Sequence, residues 1–380
     1  MQQESTQKLL DLIPKLQNLN PGSIKATIGF DGFVDEIVHV VDKRIDAENF
    51  VRINSMAEYG ERIRKCAGLS TNIEMVTVRQ KLGGNGTILA NALIEYGMDL
   101  TYIGALGLPA IHPVFQEMAG RCKAIPLSDP ALTDAIEFFD GKIISSKLES
   151  LKKISWASIL EQVGEDRFAR ILDESDLVGF GNWTMILNMS DIWKHILSEI
   201  VPKLRRRDRQ PVLFIDLADP EKRSPADIAE AVRLIDQFSS AFSVIFGLNK
   251  KEACEIARIL GLPLQPGDFD TQDLQLLAEY IFERMKVAAV VIHPVKEACV
   301  VNKDGFVRVN GPYCQKPRLT TGAGDNFNAG FIFGVTMGLN MEDSLILGTA
   351  TSGYYVRQAH SPDLAGIRQF LKDWSTGSLD

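Results

Sequence analysis

Six short runs rich in β-forming residues recur along the chain, and this recurrence limits the fold more than any other feature: IKATIGF (24–30), TYIGAL (101–106), LVGFG (177–181), VLFID (212–216), FSVIF (242–246) and AAVVI (288–292). Segments with helical periodicity lie between most of them. In NKKEACEIARIL, for example, Ala253, Ile256, Ala257 and Leu260 fall on one face. Strands that alternate with helices imply a parallel sheet, because each helix carries the chain back to the edge where the next strand starts. Both faces of such a sheet are covered. A chain of 380 residues, 45% of them hydrophobic, has ample material for that core. The expected architecture is therefore α/β, with a mostly parallel central sheet and helices on both faces. Such sheets bind ligands at the carboxyl ends of their strands, which directs attention to the residues just after each run.

Two regions break the alternation. IVHVVDKR (37–44) and EMVTVRQKL (74–82) flank a predicted helix around Met56 to Ala67, and AIEFFDGKIISSKL (135–148) predicts a hairpin turning at Asp140-Gly141. All three alternate as strands with one wet face do. A small separate sheet built from about 37–82 and 135–148 would serve as a lid beside a strand-end cleft; an edge extension of the main sheet or an oligomer contact fits the pattern equally. Residues 1–19 read as an N-terminal helical extension to a domain running from 20 to 380.

The net charge of -8 excludes a general electrostatic grip on nucleic acid or on an anionic membrane. The basic run KLRRRDR (203–209) follows the amphipathic IWKHILSEIV and reads as a solvated helix end. Five scattered cysteines, with neither CxxC pairs nor metal-ligand spacing, suit a reducing compartment. The start, MQQESTQKLLDLIPKLQ, has polar residues where a secretory leader needs apolar ones, and the longest apolar run, AGFIFGVTMGL, is too short to span a bilayer. A cytoplasmic protein without nucleic-acid or membrane partners is expected.

The chemistry concentrates in LTTGAGDNFNAG (319–330). Gly322, Ala323 and Gly324 leave backbone N–H groups open to close approach. A helix starting near Asp325 adds unpaired amides and a positive dipole end, which favour an anion. Asp325 alone would be an ordinary helix cap. A cap needs no Gly-Ala-Gly before it, however, and a bare phosphate site would be weakened by a neighbouring carboxylate. The combination makes sense where the amides hold charge building on a transferred phosphoryl group while Asp325 takes the proton of an attacking hydroxyl.

TTGAGDNFNAG resembles the C-terminal signature of the ribokinase-like, or PfkB, carbohydrate kinases. The resemblance extends from about Ile24 to Arg357 and implies a ribokinase-like fold in which Asp325 is the base, Gly322, Ala323 and Gly324 form the anion hole, and Thr320 and Thr321 adjoin the nucleotide. Asn249-x-x-Glu252 is similar to the family's NxxE motif, implying support of Mg²⁺ through water and of ATP phosphates by Asn249 and Glu252; read locally, the pair is a capping box. In KLGGNGTILANAL, Gly83, Gly84 and Asn85 match the turn on which the sugar lies. An aspartate after the first strand binds sugar hydroxyls in this family, and Asp35 is the first choice, Asp31 the second.

Several positions depart from the family pattern. Leu319 stands where an aspartate often precedes the threonines, Ile88 stands where an asparagine is common, and His293 and Pro294 replace small residues that meet the nucleotide. Lys296 is a phosphate or nucleotide candidate, and Asp216 and Asp219 sit at another strand end. The GGN turn and ILANAL are closer to the ADP-dependent sugar kinases, so the donor is ATP or ADP on this reading. The acceptor is a sugar, with a nucleoside as the alternative if Phe138 and Phe139 of the lid form an aromatic wall. A sugar-sensing protein on the same scaffold is the non-catalytic alternative. The family's lids often pair between subunits, which leaves room for a homodimer.

Overall fold

The computed structural model describes residues 2–265 and 271–379. All six β-rich runs become strands of one nine-stranded sheet. From edge to edge the order is Gly305–Asn310, Glu297–Asn302, Ala289–Ile292, Ser243–Leu248, Val212–Asp216, Leu177–Gly181, Lys25–Phe30, Asp99–Gly104 and Lys123–Pro126. From Ala289–Ile292 to Lys123–Pro126 every pairing is parallel. The other two strands form an antiparallel hairpin on one edge. Leu177–Gly181 and Val212–Asp216 are buried at every position, as strands covered on both faces must be. One helical layer packs through Trp193, Phe238 and Ile256, the other through Leu93, Phe331 and Leu347.

The N-terminal segment is part of this domain rather than an appendage. The helix Gln2–Gln17 buries Leu9, Leu12 and Leu16 in the second layer and lies along the helix Leu364–Ser375. Lys15 pairs with Asp343 at 2.5 Å and Lys8 with Glu342 at 2.7 Å. The basic run also differs from its expected role. Arg205 bonds Asp173 at 2.6 Å, Arg207 pairs with Asp176 at 3.3 Å, and Arg209 donates to the Val335 carbonyl at 3.0 Å. Local acids and carbonyls bind the run down as a strap, where a solvated helix end was expected.

The expected lid strands build a separate five-stranded sheet, wider than expected. Phe33–Arg44 pairs with Met75–Gly83 and Phe50–Arg52, both antiparallel, and with the parallel Ala131–Phe138, which turns into Gly141–Lys147. It begins at Phe33 because the alternation continues straight out of the Asp31-Gly32 turn. The helix Met56–Lys65 covers one face through Tyr59, which packs with Val38, Val40, Ile136 and Phe138. Pairing register assigns the other face: Asp35 lies opposite Lys81 and Thr133, and Glu137, four residues after Thr133, lies opposite Lys142. One face of the lid thus carries Asp35, Lys81, Glu137 and Lys142. Phe138 is consumed by the lid core, its ring 5.5 Å from Tyr59, and Phe139 is 79% exposed with the Arg52 guanidinium 4.3 Å over its ring. The aromatic wall proposed for a nucleoside is therefore already engaged elsewhere.

Candidate active site

The turn before Asp325 is built as the sequence suggests. Gly322 has φ +95° and precedes the helix Ala323–Thr336. A Cβ there would stand 2.8 Å from the Tyr355 hydroxyl and 3.2 Å from Ile88, so both conformation and space demand glycine. Tyr355 donates to the Thr321 carbonyl at 2.8 Å, holding the loop from below. The Ala323 amide turns back onto the Thr320 carbonyl at 3.1 Å. Among the described residues the Gly322 and Gly324 amides have no acceptor, and these are the open donors at the helix's positive end.

Asp325 is buried beside them, 8% exposed, and accepts one hydrogen bond, from Asn85 Nδ2 at 2.9 Å. Burial, opposed by Asn85 but reinforced by Asp31 and Glu252, pushes its carboxyl up to about 7. A carboxyl raised toward neutrality has the property that a general base near pH 7 needs. Asn85 begins the helix Asn85–Glu95, so the Gly83-Gly84 turn is tied directly to the Asp325 carboxyl.

Asp35 and Asp31 occupy different depths. A Cβ on Gly83 would fall 2.2 Å from Asp35 Oδ1, so only glycine lets this carboxylate rest on the Gly-Gly turn. Asp35 pairs with Lys81 at 3.6 Å, and burial raises its pKa against the attraction of Lys81 and Lys142. Asp31 is fully enclosed. It accepts from the Gly86 amide at 3.0 Å and from Asn182 Nδ2 at 2.7 Å, and burial lifts it to about 6. Asp31 therefore lies beneath the turn and fixes it, whereas direct sugar contact was its expected role.

Asn249 and Glu252 form the capping box. Asn249 Oδ1 accepts from the Glu252 amide at 3.0 Å and Glu252 Oε2 from the Asn249 amide at 2.8 Å. Glu252 Oε1 accepts from the Asp219 amide at 2.8 Å, reached through left-handed Ala218 and Asp219. Asp219 itself is a loop acid paired with Lys222 and Lys251. Asp216 is buried, bonded to Asn328 Nδ2 at 2.9 Å and to the Ala218 amide at 2.8 Å. Burial, then repulsion from Glu252 and Asp325, holds Asp216 well above the usual carboxylate range. Among the described residues Asn328 Oδ1 is buried without a hydrogen-bond partner. Hard oxygen donors, mutual repulsion and one orphaned amide oxygen suit a hard divalent cation. Among the described residues no group of three or more His, Cys, Asp or Glu side chains is placed to hold a metal ion.

On the far side of the turn a cavity of about 250 Å³ is lined by His293, Tyr313, Thr320, Gly324, Phe327 and Ser352. His293 stacks on Phe327 at 4.7 Å; its Nε2 is sealed, and burial lowers its pKa to about 4, so it is a neutral packing residue at the helix start. Lys296 is exposed, its ammonium 5.0 Å over the Tyr313 ring at the rim. Thr320 and Thr321 present their hydroxyls to Lys142 of the lid, at 3.3 Å for Thr320. Asn182, Tyr355 and Lys142 escaped the sequence reading. Asn182 directly follows the LVGFG run, the position that the strand-end rule marks; Tyr355 and Lys142 carry no local signal.

Fold and turn together define a ribokinase-like carbohydrate kinase, a phosphotransferase with an alcohol acceptor. Residues 6–374 match the family described as prokaryotic ketohexokinase. The chain is 30% identical to a ketohexokinase of Haloferax volcanii over 358 residues, 94% of this chain and 92% of that one. Among solved structures, an Arabidopsis thaliana ribokinase superposes with TM-score 0.62 at 15% identity, covering 92% of this chain and 98% of that one. A Sinorhizobium meliloti adenosine kinase gives 0.60 at 19%, covering 92% and 99%. The chain belongs to the prokaryotic ketohexokinase family.

Proposed function

We propose that the chain phosphorylates a ketohexose with Mg²⁺ and ATP, in the cytoplasm. The observation that carries this reading is the buried Asp325, poised near pH 7 between the open Gly322 and Gly324 amides and the Gly83-Gly84-Asn85 turn. Asp35, Gly83, Gly84 and Asn85 form the sugar floor, with Asp31 bracing it. Asp325 takes the proton of the acceptor hydroxyl as that oxygen attacks the terminal phosphorus, and the Gly322–Gly324 backbone gathers the charge on the transferred group. Asn249, Glu252 and Asp216 are the residues that would hold hydrated Mg²⁺, which supplies neutralisation of the donor phosphates when bound. Thr320 lines the cavity that would take the nucleotide, with Thr321 next to it in the chain and Lys296 over Tyr313 at the rim.

The named activity of the Haloferax relative supports a ketose, and the ribose and ATP bound to the Arabidopsis ribokinase support a sugar with ATP. Five cysteines without a disulfide suit a reducing compartment. Exposed apolar side chains on the lid, including Val78, Leu132 and Ile144, support a homodimer through that sheet. A donor-by-acceptor matrix of ATP, GTP and ADP against ketoses, aldoses, sugar phosphates and nucleosides tests the reading. Turnover should peak with ATP and a ketohexose; no turnover with any pair, or a preference for nucleosides, overturns it.

A further inference from the structure

Lys142 lies at the start of the lid strand Gly141–Lys147, far in sequence from every motif of the site. Its ammonium nonetheless reaches across the cleft to the hydroxyls of Thr320 and Thr321, the two residues immediately before the anion-hole turn. Among the described residues no carboxylate comes within ion-pair distance of it; Asp35 and Glu137 act only at longer range. On the same face of the lid, Lys81 Nζ is sealed; among the described residues it has no hydrogen bond and pairs with Asp35 alone, at 3.6 Å. A buried cation normally comes paired, because desolvation is costly and neutral hydroxyls compensate it poorly. Burial and the neighbouring Lys81 accordingly hold the Lys142 ammonium below its usual pKa. Lys142, half-buried beside the Gly322–Gly324 turn and without a carboxylate partner among the described residues, offers a site for a strongly anionic group.

We propose that Lys142 is a further catalytic residue, a cation that the lid delivers to the transferred phosphoryl group when both substrates are bound. This rests on the kinase reading above. In the transfer, a bond forms between the acceptor oxygen and phosphorus, and the bond from phosphorus to the bridging oxygen of the donor breaks. The acceptor proton passes to Asp325, and the electron pair of the broken bond leaves on the donor's β-phosphate. Lys142 makes no covalent bond; it stabilises charge on the equatorial phosphoryl oxygens from the side opposite the backbone amides. Delivery by the lid ties this stabilisation to closure over a bound acceptor, which restrains wasteful transfer to water.

The test compares wild type with Lys142→Met and Lys142→Arg. In the methionine variant kcat should fall by about 10²-fold, while calorimetric affinities for acceptor and nucleotide change less than about threefold. Lys142→Arg should recover part of the loss. Affinity for ADP with aluminium fluoride in the presence of acceptor, a mimic of the transferring phosphoryl group, should fall by the same factor as kcat. A kcat within about threefold of wild type overturns the proposal. So does a loss confined to acceptor KM, which would assign Lys142 to the sugar, or unchanged binding of the mimic, which would leave it a lid latch. Lys142→Gln provides the same readouts if the methionine variant fails to fold. A wild type without turnover removes the kinase reading and this proposal together, whereas a normal wild type with a normal methionine variant removes only the proposal.

Discussion

Replacing Asp325 by Asn should inactivate the enzyme and stabilise its fold, and the second effect can be sized from the site. Burial lifts the carboxyl from 3.8 in the unfolded chain to about 7 in the folded one. Between those values the folded protein binds more protons than the unfolded one, so ionised Asp325 costs stability as pH rises. The cost is complete above about pH 7 and has gone below 3.8. At 1.36 kcal/mol per unit, the gap from 3.8 to about 7 corresponds to a ceiling of about 4 kcal/mol, and relaxation around the site should leave roughly half. Asn keeps the shape and can still accept from Asn85. For a chain of 380 residues a gain of about 2 kcal/mol raises Tm by roughly 2–3 °C. The assay is thermal unfolding of ligand-free, chelator-treated wild type and Asp325→Asn at pH 8 and pH 4.5, with turnover measured in parallel. Stabilisation at pH 8 should largely vanish at pH 4.5, and turnover should drop by about 10²–10⁴ while sugar still binds. A variant less stable at pH 8, or a gain that grows on acidification, would refute the electrostatic account; retained turnover would refute the assignment of the base.

Gly322→Ala should reduce turnover by more than about tenfold and lower Tm, since it strains φ and meets the Tyr355 hydroxyl; wild-type activity would show that the turn does not need glycine. Asn85→Ala removes the bond that lowers the Asp325 pKa, so the acidic limb of the kcat profile should move to higher pH, and a downward shift contradicts this. Asp35→Asn should weaken acceptor binding by about 10–100-fold in calorimetry without a comparable loss of nucleotide binding. Sedimentation at micromolar concentration should show a dimer, and a monomer throughout removes the lid interface.

The parts of the molecule that were readable in advance are those whose physics is local. The six strand runs, the Asp325 turn and the Asn249–Glu252 box each declare themselves within a dozen residues. The edge hairpin Glu297–Asn302/Gly305–Asn310 was also readable, since EACVVN and GFVRVN alternate around a short turn ending at Gly305, with φ +123°. Other features exist only in three dimensions. Asp31 and Asp35 are both acids after a strand, and only the path of Phe33–Arg44 and the reach of Asn182 reveal that one is sealed below the turn. Lys142 sits 178 positions from Thr320, and its role depends on where the lid rests.

The pairing of the helix Gln2–Gln17 with the helix Leu364–Ser375 also bears on how the molecule is made. Leu9, Leu12 and Leu16 leave the ribosome before the helices Met341–Gln358 and Leu364–Ser375, against which their own helix packs. Until those emerge, an apolar stripe stays unprotected, and folding cannot be completed from the N-terminus forward. The sheet's strands can assemble beforehand, but closure of this second layer must wait for those two helices.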